Sequence, residues 1–402
     1  MPAGATSTGP AAYGSSGSRP GADGRLVAAA VVLLALNLRT LIASLPPLLP
    51  DIRDDLHLSA TVAGLLTTLP VVCFGAFAPV LPRLARRVSL ERILAACAAV
   101  TIGAAALRGL GTTAALFVGS LLAGIAVAIA QGALPILIRT RFAARTGRLM
   151  GAYSMALPLG ATLAAAAAVP LAHVLGHSWP RSLAFWLVPA VPAVLVWTSM
   201  ARRGETLLEG PPPESLHLQP LAWSVALYFG AQSASFYAGL AWIPEILVAH
   251  HYSETSAGAL QAVGSLVSMA PAFAVPILAA RLGHQLQILI AVVAATSAGV
   301  IGLLAAPGAG LLWVALIGVG QGGMLGLALI LPVLRARSAQ SVASLTAMAL
   351  CVGYVVAAAG PWILGLVHDA SGSWSAALVA LLAITLVQLA PGAHACRARV
   401  LG

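Results

Sequence analysis

The stretch Ser59-Ala60-Thr61-Val62-Ala63-Gly64 returns later in the chain as Ser253-Glu254-Thr255-Ser256-Ala257-Gly258, so the pattern Ser-x-Thr-x-Ala-Gly occurs twice. Each copy opens a long apolar stretch that ends near a Pro-x-Leu and an Arg-Leu, within residues 79–84 and 276–282. Further matches follow, and Gln131 in the first half pairs with Gln321 in the second. The second half of the chain therefore repeats the first half. A membrane protein built from two parallel repeats is typically a transporter whose site lies where the repeats meet.

The composition indicates a membrane protein. The chain is 60% hydrophobic and 8% charged, whereas soluble proteins carry about 25% charged residues. Its net charge of +10 would indicate a nucleic-acid partner in a soluble chain. Here every basic residue is arginine, and the arginines cluster between apolar runs. They therefore predict membrane topology, with lipid and a small solute as partners and no nucleic acid.

The apolar runs predict an all-α membrane protein with twelve transmembrane helices in two six-helix bundles. A membrane barrel is excluded because its strands would alternate in polarity. The predicted spans are residues 26–48, 59–81, 91–110, 112–138, 147–174, 181–201, 221–248, 255–280, 286–306, 309–334, 341–367 and 373–392.

The composition between the spans predicts the domain organisation. Residues 1–24, rich in Gly, Ser, Ala and Pro, read as a disordered N-terminal tail. The N-terminal bundle covers residues 25–201, the C-terminal bundle residues 221–395, and residues 396–402 form a short C-terminal tail. Residues 202–220, with three consecutive prolines, form the linker between the bundles.

The arginines also predict orientation, because cytoplasmic loops of membrane proteins carry an excess of basic residues. With the N-terminus inside, most arginines fall in inner loops, and Arg53 and Arg181 fall outside. We expect a monomeric, multi-pass protein of the plasma membrane with both termini in the cytoplasm. Arg139 and Arg141 are interpreted as topology anchors, and Arg108 as a residue that snorkels to the outer surface.

Arg39 is the leading candidate for the solute site. It lies near the middle of the first span, where a charged side chain costs about 2.5–3.5 kcal/mol on insertion scales. No acidic residue lies at matching depth in any span, so the guanidinium is available to an anion, whose oxygen atoms its planar fork suits. The alternative is a structural arginine that binds backbone carbonyl groups. Asn37, two residues away, is a second candidate that could instead brace the bundle.

The second half offers aromatic residues at the equivalent place. When Pro47 is aligned with Pro244, Arg39 falls opposite Phe236, beside Tyr237. One face of the seventh span carries residues at helical spacing, which predicts either a stacking and hydrogen-bonding wall or ordinary helix packing. These residues are Gln232, Ser235, Phe236, Gly239 and Trp242.

Other polar residues in the spans are either site residues or links between helices, because an amide in a span often bonds to a neighbouring helix. Of these, Gln131, Gln321 and Tyr354 complete the predicted solute site, and Gln261 and Tyr153 share their character. Glu245 is the acid closest to a span that faces the cavity, so it is the candidate coupling residue if protons drive transport. The alternative is a residue at the level of the lipid headgroups with no role.

No motif predicts a cofactor or a metal site. The four cysteines are scattered without C-x-x-C spacing. The pattern Gly318-x-Gly320-x-x-Gly323 lies inside a membrane helix, where it is typical of helix packing rather than nucleotide binding. An intramembrane enzyme would need paired aspartates, a Ser/His pair or a zinc motif in the spans, and none is present.

Several stretches resemble the cyanate permease and 2-nitroimidazole transporter group of the major facilitator superfamily. They are Asn37-Leu38-Arg39, Gln131-Gly132-Ala133-Leu134-Pro135, Gly151-x-Tyr153-Ser154 and Trp242-Ile243-Pro244. The resemblance implies the major facilitator fold and alternating-access transport of a small anionic or polar organic solute. An exporter of neutral or acidic drugs with the same fold is the alternative.

The loop after the second span departs from the general superfamily pattern, which resembles Gly-x-x-x-Asp-Arg-x-Gly-Arg-Arg. The expected acid is Pro82 and the expected glycine is Ala85. The gating contact attributed to that acid is therefore not available in the same form.

Overall fold

The computed structural model describes residues 22–202, 208 and 216–397, and within them it consists of helices joined by short turns. The sixteen α-helices are α1 (Ala22–Ala43), α2 (Leu49–Leu56), α3 (Ala60–Phe77), α4 (Val80–Leu84), α5 (Leu90–Arg108), α6 (Thr113–Arg141), α7 (Thr146–Val174), α8 (Trp179–Phe185), α9 (Leu187–Ala201), α10 (Pro220–Ala249), α11 (Glu254–Arg281), α12 (Leu286–Ala305), α13 (Gly310–Arg335), α14 (Ala339–Ser371), α15 (Trp374–Val387) and α16 (Leu389–Ala395).

Every predicted span is largely helical, and three of the twelve are broken into two consecutive helices: α3–α4, α8–α9 and α15–α16. The first span corresponds to α1, and α2 begins at Leu49, beyond the predicted end at residue 48. Within the described residues, ten helical segments are long and apolar enough to cross a membrane. The second predicted span falls short because its apolar helix is brief. The seventh predicted span, α10, has 30 residues, but it is not among these ten segments because its polar side chains make it less apolar. The predicted all-α membrane architecture is confirmed.

The repeated Ser-x-Thr-x-Ala-Gly motif marks a helix start in both halves. The Ser59 hydroxyl accepts a hydrogen bond from the Val62 N–H at 3.3 Å, and the Ser253 hydroxyl accepts one from the Ser256 N–H at 3.2 Å. A serine in this position satisfies one of the unpaired N–H groups of the first turn and stabilises a helix by about 1 kcal/mol. The motif was therefore a reliable sign of a new span.

The helices pack as two groups. Helices α1, α5, α6, α7 and α9 contact one another in the N-terminal group, and α10 to α16 do so in the C-terminal group. The groups meet where α7 packs on α11, α3 on α14, and α6 on α13. The exact boundaries 25–201 and 221–395 stay predictions.

The tails and most of the linker lie outside the described residues, namely residues 1–21, 203–207, 209–215 and 398–402. Within the linker, Leu208 is buried, and its N–H donates to the carbonyl oxygen of Ala85 at 3.0 Å. At least this part of the linker therefore contacts the N-terminal group.

The two groups are in close contact at one end of the molecule. We call it the arginine end, because Arg86, Arg145 and Arg337 lie there. A Cβ on Gly147 of α7 would stand 2.8 Å from the Cβ of Ala280 of α11, so the two helices touch through this glycine.

At the opposite end, which we call the open end, two glycines of the described residues have free space beside them. A Cβ on Gly64 or on Gly258, both in the repeated motif, would meet nothing within 4 Å. Among the described residues, the tight approach of α7 to α11 is therefore at the arginine end.

Arg108 does not snorkel, so that prediction was wrong. Its side chain is buried, with 1% exposed, and it donates to the carbonyl oxygen of Leu41 and, at 3.0 Å, to the hydroxyl of Ser120. Leu41 belongs to the last turn of α1, whose carbonyl groups lack helical partners. A buried cation at this place is stabilised by the negative end of the helix.

Candidate functional site

Arg39 lies on α1 between the two helix groups and contacts both. Its Nη2 donates to Gln131 Oε1 of α6 at 3.3 Å and to the Tyr354 hydroxyl of α14 at 3.3 Å. Gln131 Nε2 also donates to the Tyr354 hydroxyl, at 3.1 Å. These three residues form what we call the Arg39 cluster, and it joins one residue of the C-terminal group to two of the N-terminal group.

Aromatic rings surround the cluster. The Cζ of Arg39 lies 5.4 Å from the centre of the Phe74 ring, within the range of a cation–π interaction. The Tyr354 ring contacts Phe74 at 5.1 Å and Phe229 at 5.6 Å between centroids. Tyr237 of α10 lies within electrostatic range of the guanidinium. A planar solute would therefore find ring faces beside the positive charge.

The charge of Arg39 is not neutralised by any carboxylate of the described residues. The one ion pair found among them, Arg141 with Glu91 at 2.6 Å, lies at the arginine end. The hydrogen bonds of Arg39 from Nη2 go to the neutral groups of Gln131 and Tyr354, and the Tyr237 hydroxyl, also neutral, interacts with the guanidinium as well. A cation surrounded by neutral groups is stabilised further by water or by an anion.

Two predicted site residues face other partners. Asn37 is buried, and its Nδ2 donates to the carbonyl oxygens of Leu33 at 2.8 Å and Pro189 at 3.1 Å, so it braces α1 against α9. Trp242 donates through its indole N–H to the carbonyl oxygen of Pro361 at 2.8 Å, which fixes α10 to α14. Neither contacts the Arg39 cluster.

The remaining predicted residues lie on or near α10. Gln232 is buried, and its Oε1 accepts from the neighbouring Ser233 hydroxyl at 3.3 Å. The Phe236 ring contacts the Tyr237 ring at 5.3 Å, and Phe236 lines a pocket together with Gln321. Glu245 is exposed and makes no hydrogen bond or ion pair with a described residue.

Three residues of the site were not among the predicted ones. Phe74 and Phe229 carry no sequence signal, because an aromatic residue in an apolar helix is usually a packing residue. Tyr153 did carry one, since it is a polar residue in a span; its hydroxyl donates to the carbonyl oxygen of Gln131 at 3.3 Å and so positions α6.

Sequence comparison identifies relatives over most of the chain. The model of the Major Facilitator Superfamily matches residues 27–358. The uncharacterized transporter YycB of Bacillus subtilis (strain 168) is 35% identical, over 92% of this chain and 93% of that protein. The 2-nitroimidazole transporter of Escherichia coli (strain K12) is 33% identical, over 92% and 95%. The cyanate transport protein CynX of the same organism is 31% identical, over 89% and 95%.

Solved structures share the fold at low sequence identity. The proton:xylose symporter XylE, bound to 6-bromo-6-deoxy-D-glucose, has a TM-score of 0.72 at 12% identity and covers 94% of this chain and 97% of its own. A bacterial homologue of the iron transporter ferroportin, in an outward-facing state, has a TM-score of 0.70 at 14% identity and covers 91% and 98%. These similarities support the architecture of two helix groups and carry no information on the solute.

Proposed function

Because this chain belongs to the major facilitator superfamily, we propose that it is a secondary active transporter whose solute is a small anionic or polar organic molecule, anchored at Arg39. The observation that carries the proposal is the guanidinium between the two helix groups, bound only to neutral protein groups within the described residues. Binding of an anion there offsets the cost of placing the charge in the membrane.

The relatives support a solute of this class. Cyanate is a small linear anion, and 2-nitroimidazole is a planar polar ring with a nitro group. Both present oxygen or nitrogen acceptors that a guanidinium edge can bind, and a planar ring fits beside Phe74 and Tyr354.

Alternating access gives the cluster a mechanical role. Arg39 and Tyr354 belong to different helix groups, so a solute bound between them contacts both groups at once. In the state described, the groups are in contact at the arginine end, and the solute enters from the open end. Closure of the open end around the solute and separation of the arginine end would release it on the other side.

An exporter of neutral or acidic compounds is the second candidate function, favoured by the aromatic rings that border the cluster. It uses the same site and differs in the direction of net transport. Proteoliposome uptake and efflux under opposite solute gradients distinguishes the two, because an exporter accumulates its cargo on one side when energised.

The test compares two arginines of the N-terminal group by titration of small anions, cyanate included, beside a melting curve. Arg39→Lys keeps the charge and loses the fork, so we expect affinity to fall about tenfold or more. Arg39→Ala should abolish binding. Its melting temperature should stay within about 2 °C of the wild type, because Gln131 and Tyr354 remain bonded to each other.

Arg108→Lys is the matched control. Arg108 bonds to backbone and to Ser120 inside the group, so this variant should lose melting temperature and keep the wild-type affinity. If Arg39→Ala bound anions as the wild type does, or lost stability while keeping affinity, Arg39 would be structural and the proposal would be wrong.

A further inference from the structure

A pocket lined by uncharged residues lies inside the C-terminal group, next to the Arg39 cluster. Helices α10, α11 and α13 supply most of its wall, and the cavity volume, measured by the positions open to the centre of a water-sized sphere, is about 40 Å³. Phe236 lines it, and the Phe236 ring contacts the ring of Tyr237, which lies within electrostatic range of Arg39. The Phe236–Tyr237 pair therefore links the pocket to the Arg39 cluster. We call it the Gln321 pocket.

The amide of Gln321 is oriented by a chain of hydrogen bonds. The Thr385 hydroxyl donates to the carbonyl oxygen of Leu381 at 2.8 Å. Because the Thr385 hydroxyl has already donated its hydrogen, it accepts a hydrogen bond from the Ser235 hydroxyl at 2.9 Å. Ser235 in turn accepts from Gln321 Nε2 at 2.8 Å. The amide nitrogen is thus directed to Ser235, and the amide oxygen is left for another partner.

That oxygen has no partner among the described residues. Gln321 is 7% exposed, and its Oε1 is buried without a hydrogen bond. Gln261 lines the same pocket, and its Oε1 is buried and unpaired as well. A buried acceptor without a donor is costly. The pocket is therefore suited to a molecule that brings a hydrogen-bond donor.

Comparison of Gln321 with its counterpart in the first half indicates which hydrogen-bond donor the Gln321 amide oxygen lacks. Gln131, the counterpart of Gln321 in the first half, uses its Oε1 to accept from Arg39. In the second half the position opposite Arg39 holds Phe236. The first half supplies its own donor to the glutamine, and the second half supplies a ring face and an acceptor.

The donor is a neutral group rather than an ammonium. No side chain that lines the pocket is charged, and a buried cation without a carboxylate would be strongly destabilised. A ring N–H donates a hydrogen bond without carrying a charge, and the ring that bears it can stack on Phe236.

Given the proposed anchoring role of Arg39, we propose that the Gln321 pocket is a second subsite that accepts a neutral N–H donor from the solute. The solute class is then a small planar heterocycle with an N–H at one end and an anionic or electron-rich group at the other. A bare anion without hydrogen occupies only the Arg39 end.

The test uses two probes that differ in one group. Pyrrole-3-carboxylate and furan-3-carboxylate share ring size and charge, and the first alone has a ring N–H. Equilibrium titration of the full-length protein should give tighter binding of the pyrrole probe by roughly tenfold or more. In Gln321→Leu the pyrrole probe should weaken to the level of the furan probe, while the furan probe changes less than about twofold.

Two further variants separate the possible failures. Arg39→Lys should weaken both probes by the same factor and leave their ratio unchanged. Thr385→Val removes the hydroxyl that orients Ser235 and Gln321, so it should lower the ratio even if Gln321→Leu does not fold.

Equal affinity of the two probes for the wild type, or binding of neither, would overturn the subsite. The subsite would also be overturned if Gln321→Leu kept the tighter binding of the pyrrole probe, because the ring N–H would then bind a group other than the Gln321 amide. Another outcome is that the pyrrole probe binds more tightly than the furan probe but Arg39→Lys weakens neither of them. This outcome would refute the anchoring role of Arg39 and keep the donor subsite.

Discussion

Arg39 and Arg108 are both arginines of the N-terminal group, and their partners give them different roles. Arg108 contacts a backbone carbonyl at the end of α1 and a hydroxyl, and it is fully buried. Arg39 contacts an amide and a phenol that also bond to each other, and it is only half-buried. The first pattern fixes a helix in place. The second holds a guanidinium between the two groups through neutral partners from both of them.

Sequence reasoning separated Arg39, near the middle of its span, from Arg108, near the end of its span, but it wrongly predicted that Arg108 reaches the surface. Depth alone therefore did not define the partners of either arginine. What differs is the direction of the side chain around its helix, which depends on tertiary packing. The carbonyl group of Leu41 that holds Arg108 comes from another helix, and no spacing in the sequence predicts that contact.

Glu245 is an exposed carboxylate of α10 without a hydrogen bond or ion pair among the described residues, so we expect no role in coupling. A coupling carboxylate must sense the solute, and Glu245 contacts neither the Arg39 cluster nor Gln321. Glu245→Gln should therefore leave the pH dependence of uptake into proteoliposomes unchanged. Loss of pH-driven uptake with solute exchange retained would instead identify Glu245 as the coupling group.

At the scale of elements, glycines set how closely the two groups approach. A Cβ on Gly151 of α7 would overlap the carbonyl oxygen of Phe273 on α11. Backbone cannot yield as a flexible side chain does, so Gly151 is required for the contact of these helices at the arginine end. Gly258, at the start of α11, has open space where its Cβ would be.

Gly151→Ala should lower the melting temperature because it forces α7 away from α11, at a cost of about 1–3 kcal/mol for an overpacked site. Gly258→Ala is the matched control on the partner helix. It should be neutral or slightly stabilising, because alanine is favoured over glycine in a helix by about 0.5–1 kcal/mol. Equal melting temperatures of the two variants would show that the α7–α11 contact is not formed in solution.

The elements themselves were predictable, and the aromatic part of the site was not. Apolar runs and the serine caps at Ser59 and Ser253 define helices through local rules that act within one turn. The packing of α3 against α14 places the Phe74 ring beside Tyr354. The Phe74–Tyr354 contact joins residues of different helix groups, so local rules do not specify it.

At the scale of the whole molecule, the repeat explains why the site is asymmetric. The two halves keep the same glutamine, but Gln131 bonds to Arg39 and Gln321 bonds to Ser235. Divergence at one position, arginine in one half and phenylalanine in the other, turns a symmetric scaffold into a site with two unlike ends. The orientation of the chain in the membrane stays a prediction from the arginine bias.

The arginine end also needs a contact that holds it closed, since Pro82 stands where the superfamily pattern has an acid. Arg139 of α6 provides a candidate, because it donates to the carbonyl oxygens of Val333 and, at 2.9 Å, of Arg337. Val333 lies in the last turn of α13, where a helix attracts positive charge, and Arg337 lies in the connection that follows it. A cation on one group thus contacts a helix end on the other, so Arg139 is more than a topology anchor.

We expect Arg139→Ala to shift the protein away from the state closed at the arginine end. Spin labels at Ala144 and His284, exposed positions of the two groups near that end, would report the change as a broader distance distribution with a longer mean. Arg148→Ala is the control, because it removes an exposed arginine from the same end without loss of a carbonyl contact. If the distributions of wild type and Arg139→Ala coincide, the helix-packing contacts at Gly147 and Gly151 hold the end closed without the help of Arg139.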